Sequence, residues 1–153
     1  MFYYTHLAFS FLIGLFLLDY LPIENKFIFF LFVFLFSSFP DIDKANSKIG
    51  KKFGALSKII GFIFGHREIF HSLLFMVFGY ILLSVFSGLI AIAFLIAVAS
   101  HLVLDALTPK GIMPFYPLKY KVRGVIKTGG LLEKLIFVGL IVLFIVKLST
   151  GHI

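Results

Sequence analysis

Long apolar runs separated by short polar breaks organise the chain. The first run covers residues 2–18 and is closed by Asp19-Tyr20. The second opens at Pro22, a favoured first helical residue, with Glu24 in the first turn, where the partial positive charge of a helix N-terminus suits an acid. It passes through the Phe-rich stretch 27–36 and stops at Pro40. The third begins near His71-Ser72 and runs to Phe86, Ser87-Gly88 interrupts it, and the fourth covers 89–107. The fifth is 131–148. A spanning helix needs about 20 predominantly apolar residues. The pattern therefore predicts an all-α integral membrane bundle of about five transmembrane helices, forming a single domain over residues 1–153.

Residues 53–65 fit none of these runs. The stretch is too short to cross alone, carries Lys58, and contains Gly54, Gly61 and Gly65. Phe53, Leu56, Ile60 and Ile63 fall on one helical face, although Ile59 and Phe62 spoil a clean amphipathic pattern. We expect an interfacial or re-entrant helix here.

Composition supports the membrane reading. Of 153 residues, 61% are apolar and only 14% charged, and the mean hydropathy is +1.11. Soluble domains are about half apolar and a quarter charged. A chain this poor in polar groups cannot cover its own surface, which excludes an ordinary water-soluble fold. Residues 1–6 hold no basic cluster and no small-x-small site follows the first run, so that run is expected to remain as a helix rather than a cleaved leader. The absence of Cys removes disulfides, thiolate metal sites and Cys nucleophiles.

The formal charge of +7 matters through its placement. Residues 40–70 hold Lys44, Lys48, Lys51, Lys52, Lys58 and Arg67, and residues 108–130 hold Lys110, Lys119, Lys121, Arg123 and Lys127. The Ser87-Gly88 connection holds no cation and the 19–26 connection only Lys26. The positive-inside rule puts both long loops in the cytoplasm. Five spans then leave the N-terminus inside and the C-terminus outside, in a multi-pass protein of the cell membrane. Basic residues in short membrane-flanking loops, without a recognisable binding module, make nucleic acid a poor partner.

Ionisable groups in or beside spans are costly, so their placement is informative. On this topology His6, Asp41, Asp43, His66, Arg67, His71, His101, Asp105 and Glu133 all fall at the cytoplasmic end of the bundle. Orientation came from Lys and Arg alone, so the convergence is independent of it and indicates one site built from several helices. His101 and Asp105, four residues apart, project from one helix face. That spacing suits two ligands of one ion, or an imidazole oriented by a carboxylate. Asp41-Ile42-Asp43 adds two carboxylates, and His66-Arg67 with His71-Ser72 adds two imidazoles and a guanidinium. An N and O donor set suits Zn, Mn, Fe or Co and disfavours Fe–S or Cu(I). Each feature has a plainer reading: a lone membrane His usually packs and hydrogen-bonds, Ser72 serves as a helix N-cap, and Glu133 complements a helix N-terminus. Asp19 and Glu24 are expected to be solvated at the outer face.

In order along the chain, Thr5-His6, Pro40-Asp41-Ile42-Asp43, His66-Arg67 with His71-Ser72, and His101-Leu102-Val103-Leu104-Asp105 with Thr108 and Gly111 form an ordered set. This set resembles the membrane-bound metal-dependent hydrolases of the LexA-binding, inner-membrane-associated group, and the resemblance runs from His6 to Glu133. Glu68 follows His66-Arg67, where the family has a Gly or another small residue, and adds an acidic group.

The resulting expectation is a metal-dependent hydrolase working at the cytoplasmic membrane face. His6, Asp41, His66, His71, His101 and Asp105 would hold one or two divalent ions, zinc or manganese first. Asp43 or Glu133 would take a proton from the attacking water, and Arg67 would hold an anionic group such as a phosphate. Such a site fits an anionic lipid headgroup or another phosphoester. A metal-sensing or partner-binding membrane protein without turnover is the competing class. Transport is disfavoured because transporter sites lie near the bilayer midplane, whereas these groups crowd one end.

Overall fold

The computed structural model describes residues 1–43, 51–52, 54–55 and 69–150. Among them five α-helices follow in order: α1 Tyr3–Leu17, α2 Lys26–Phe36, α3 Leu73–Ser84, α4 Gly88–Ala106 and α5 Leu131–Ser149. Two 3-10 turns, Phe39–Asp43 and Ile69–His71, lie between α2 and α3. The described residues contain no strand, only a single antiparallel bridge between Ile112 and Val122. The expected helix over 53–65 lies almost wholly outside the described residues.

The helix starts follow from short polar side chains that satisfy orphan backbone donors. Ser72 Oγ accepts from Phe75 N, and Ser87 Oγ accepts from Ile90 N. The second helix departs from the sequence expectation: Asn25 Oδ1 accepts from Ile28 N at 2.9 Å, so α2 begins at Lys26 rather than at Pro22.

The long helix α4 is the axis against which α1, α2 and α3 pack, while α5 packs on α1. Small residues allow the close approach. Ser10 and Gly14 on α1 are buried, as are Ala93 and Ala97 on α4. Phe29 and Val33 of α2 complete a core with Ala93, Ile96 and Ala97. A second cluster of Phe94, Val98, Leu102 and Ile112 lies closer to the end of α4. At Gly79 of α3 a Cβ atom would stand 2.4 Å from the Phe94 ring, so this contact requires glycine.

Two contacts orient the outer helices. Phe2 N, at the start of α1, donates to Glu133 at the start of α5. Beyond the far end of α1, Asp19 receives Lys147 Nζ from the end of α5 at 2.5 Å, and the ammonium lies 5.3 Å from the Phe16 ring centroid. Asp19, expected to be only solvated, is held in an ion pair. α1 and α5 are therefore parallel, and the bundle has a His/Asp end and an Asp19–Lys147 end.

Among the described residues one helix, α4, is long and apolar enough to cross a membrane; α1 and α3 are apolar but shorter. The described helices also expose large apolar side chains outward, such as Phe78 and Ile81 on α3 and Leu135 and Ile145 on α5.

Candidate metal centre

Asp105 is the centre of the site. It lies in the last turn of α4 and is 1% exposed, a position where an isolated carboxylate would be costly. Three imidazoles surround it. His6 Nε2 from α1 lies 3.4 Å from Oδ1, His71 Nε2 from the turn before α3 lies 3.5 Å from Oδ2, and His101 Nε2, one turn back on α4, lies 3.8 Å from Oδ2. The α-amino group of Met1 lies 2.9 Å from Oδ1. All three imidazoles are buried.

The rings also touch one another. His6 and His101 stack with centroids 4.0 Å apart and 15° between planes, and His71 meets His101 edge-on at 5.2 Å. His101 Nδ1 lies 2.8 Å from the carbonyl oxygen of Ser37, the residue that closes α2. A carbonyl can only accept, so Nδ1 carries the hydrogen and the lone pair of His101 is on Nε2. A carbonyl bonded to the far nitrogen in this way fixes the ring and its tautomer and prepares an imidazole for a metal.

Two groups of donors lie within 4.8 Å of one another: His6, His101 and Asp105, and Asp41, His71 and His101. His101 belongs to both. The residues fit a divalent ion on two counts. All the donors are nitrogen or carboxylate oxygen, and His101 Nε2 and His6 Nδ1 are buried without a hydrogen-bond partner among the described residues.

The structure thus brings together His6, Asp41, His71, His101 and Asp105, from four separate stretches of sequence. His66 and Arg67 lie outside the described residues, as does the side chain of Asp43. Glu133 stands apart from both groups. Its carboxylate accepts from Phe2 N and from Gly129 N, each at 2.6 Å, and it is 1% exposed. A carboxylate that accepts from backbone donors through both oxygens clamps the starts of α1 and α5 together. Ser72 is the N-cap of α3.

The contribution of Ser37 was not legible in the sequence, because it acts through a main-chain carbonyl and any residue supplies one. Thr108 follows α4 and supports its last turn: its Oγ1 donates to the Asp105 carbonyl at 2.8 Å.

Comparison with known proteins places these residues in context. Residues 1–152 match the family described as YdjM inner membrane protein. The protein YvsG of Bacillus subtilis (strain 168), itself described as uncharacterized, is 43% identical over 105 residues, or 66% of this chain and 66% of that protein. The match therefore spans slightly less than two thirds of the relative's length. No solved structure matches the chain.

Proposed function

The chain belongs to the YdjM inner membrane protein family, and from that premise we propose that it is a multi-pass, metal-dependent hydrolase with its site at the cytoplasmic membrane face. The carrying observation is the convergence of His6, His71 and His101 on Asp105 at one end of an apolar bundle. Five crossings, with the N-terminus inside, are the reading that makes this end cytoplasmic. The parallel course of α1 and α5 and the collection of the imidazoles at one end support it.

The described residues have parts that their geometry supports, and those of Asp43 and Arg67 rest on the sequence. Asp105 supplies the negative charge that makes a dication favourable in a buried place. The Ser37 carbonyl holds His101 in the tautomer that presents Nε2. His6, stacked on His101, and His71 supply further nitrogens, and Asp41 a second carboxylate. A divalent ion held there, zinc or manganese, would act as a Lewis acid and lower the pKa of water to about 7. Asp43 is the carboxylate left to accept the proton in our scheme, and Arg67 the group that binds an anionic substrate. A site at the end of a membrane bundle, flanked by cations, favours a phosphoester substrate of the lipid-headgroup type.

Two measurements test the proposal. Elemental analysis of protein purified without a metal-binding tag should find a divalent ion, lost in His101→Ala and Asp105→Ala. The metal-loaded protein should hydrolyse at least one member of a phospholipid and phosphoester panel, and the same two variants should not. Stoichiometric metal with no turnover on any member would favour the metal-sensing or partner-binding class instead.

A further inference from the structure

Residues 108–130 carry five cations, Lys110, Lys119, Lys121, Arg123 and Lys127, and no acidic residue. All five are exposed. The segment is nevertheless tied to the bundle at several points. Ile112 and Val122 exchange backbone hydrogen bonds of 3.0 and 2.9 Å, Gly124 N donates to Thr108 O, and Ile126 N donates to Leu107 O. Leu73 N, at the start of α3, donates to Pro114 O at 2.8 Å. Gly111, at φ +62°, makes the reversal, and a Cβ there would stand 2.1 Å from the Val122 carbonyl oxygen. The segment is a built cap on the His/Asp end.

Its two faces differ. Ile112 is buried beneath it, and Val122 and Ile126 are half-buried. The intervening Lys121, Arg123, Val125 and Lys127 point outward, an alternation that extended backbone imposes. The outward surface also presents Phe115 (52% exposed), Leu118 (69%), Tyr120 (65%) and Val125 (84%). Large apolar groups in this number do not suit a cap bathed in water, and five cations do not suit hydrocarbon. The one environment that satisfies both is the boundary between anionic headgroups and acyl chains.

We propose that the 108–130 cap is an anionic-lipid docking surface. Phe115, Leu118, Tyr120 and Val125 enter the acyl boundary of the surrounding bilayer, and the Lys and Arg side chains contact phospholipid phosphates. The occupant is the headgroup layer of the membrane holding the bundle. Charge complementarity identifies it: the surface is cationic throughout, and the apolar residues are interleaved with the cations rather than gathered into one patch, as a protein partner would require. The proposal is independent of whether the His/Asp site binds metal or turns over.

The chain contains no Trp, so Leu118→Trp and Val125→Trp are single fluorescent reporters. Each would be placed in nanodiscs of phosphatidylcholine alone or mixed with phosphatidylglycerol, with Tyr20→Trp at the other end of the bundle as reference. Both cap reporters should show blue-shifted emission and quenching by lipid brominated near the glycerol end of the acyl chain. Quenching should increase with phosphatidylglycerol and fall back at high salt, while Tyr20→Trp should respond to neither. Adding Lys119→Gln, Lys121→Gln and Arg123→Gln should abolish the phosphatidylglycerol response without moving the unfolding midpoint. Water-like emission that is quenched by iodide and unaffected by brominated lipid overturns the proposal. Shielding that persists in detergent and rises with protein concentration also overturns it, because a second copy would then be the occupant. If the glutamine variant fails to fold, the two single reporters still decide the matter through their dependence on lipid charge and salt.

Discussion

His101 Nδ1 and the Ser37 carbonyl oxygen, 64 residues apart in sequence, lie 2.8 Å apart in the interior. This bond couples the end of α2 to the last turns of α4 and leaves one nitrogen of His101 available as a ligand. Both donor triads need that ring. One lone pair serves one ion, so the two triads cannot be filled at once. Within the proposed site they are alternative positions for a single ion, one with Asp41 and the other with Asp105 as the carboxylate.

Titration of metal-free protein should accordingly saturate at one divalent ion per chain. His101→Ala should weaken affinity by at least the roughly 10- to 100-fold that losing a group hydrogen-bonded to a metal ligand costs. His6→Ala and His71→Ala should each weaken it less, and combining either with His101→Ala should add little, as expected for members of one site. Saturation at two ions would show that His101 is not the shared ligand.

Much of this arrangement was legible because the signals were periodic and costly. Apolar runs located α1, α3, α4 and α5 to within about two residues and α2 to within four at each end, and the spacing of His101 and Asp105 on α4 pointed to one face. Buried charge is so unfavourable that a few His and Asp residues at one bundle end already implied a common purpose. What could not be read acts through the backbone or through competition between local signals. Ser37 contributes a carbonyl, and Asn25 wins the helix start from Pro22 because its side chain satisfies a donor that proline cannot. Glu133 offered both a chemical and a helix-terminus reading, and sequence shows a carboxylate but not that Phe2 N and Gly129 N meet it.

The Asp19–Lys147 pair at the opposite end makes a separable prediction. Lys147→Met should cost about 1 kcal/mol or less in a detergent unfolding assay, the range of a partly exposed pair. Asp19→Asn in the same background should add less than it does alone. Divalent ion content should be unchanged in both, because the pair lies at the end of the bundle away from Asp105. Under the five-crossing proposal, reporter fusions after Gly130 and after Ile153 should report opposite sides of the membrane. The same side for both would defeat that count.

Gly79 and Phe94 test the α3–α4 contact. A Cβ at Gly79 would overlap the Phe94 ring, so Gly79→Val should destabilise by roughly 1–3 kcal/mol, the usual cost of overpacking. Phe94→Leu, with a smaller side chain, should relieve part of that loss in the double variant. Equal losses with and without Phe94→Leu would mean that the ring is not what excludes a side chain from position 79.

Glu133 separates a structural carboxylate from a chemical one. Its two oxygens receive Phe2 N and Gly129 N, and Gly129 holds φ +79°, a conformation that favours glycine. The clamp therefore fixes the start of α1, four residues before His6, against the start of α5. Glu133→Ala leaves two donors without their acceptor and should cost about 1–3 kcal/mol for each that stays buried. Glu133→Gln keeps one carbonyl oxygen but turns an amide N–H toward the other donor, so it should recover part of the loss. If the clamp is its only role, the folded fraction of both variants should still bind a divalent ion with an affinity close to that of the unaltered chain. A ligand or proton acceptor would behave differently: affinity or turnover would fall in Glu133→Gln while the unfolding midpoint stayed in place. Measuring midpoint and metal affinity on the same preparations distinguishes the two, and the geometry of the two 2.6 Å bonds favours the clamp.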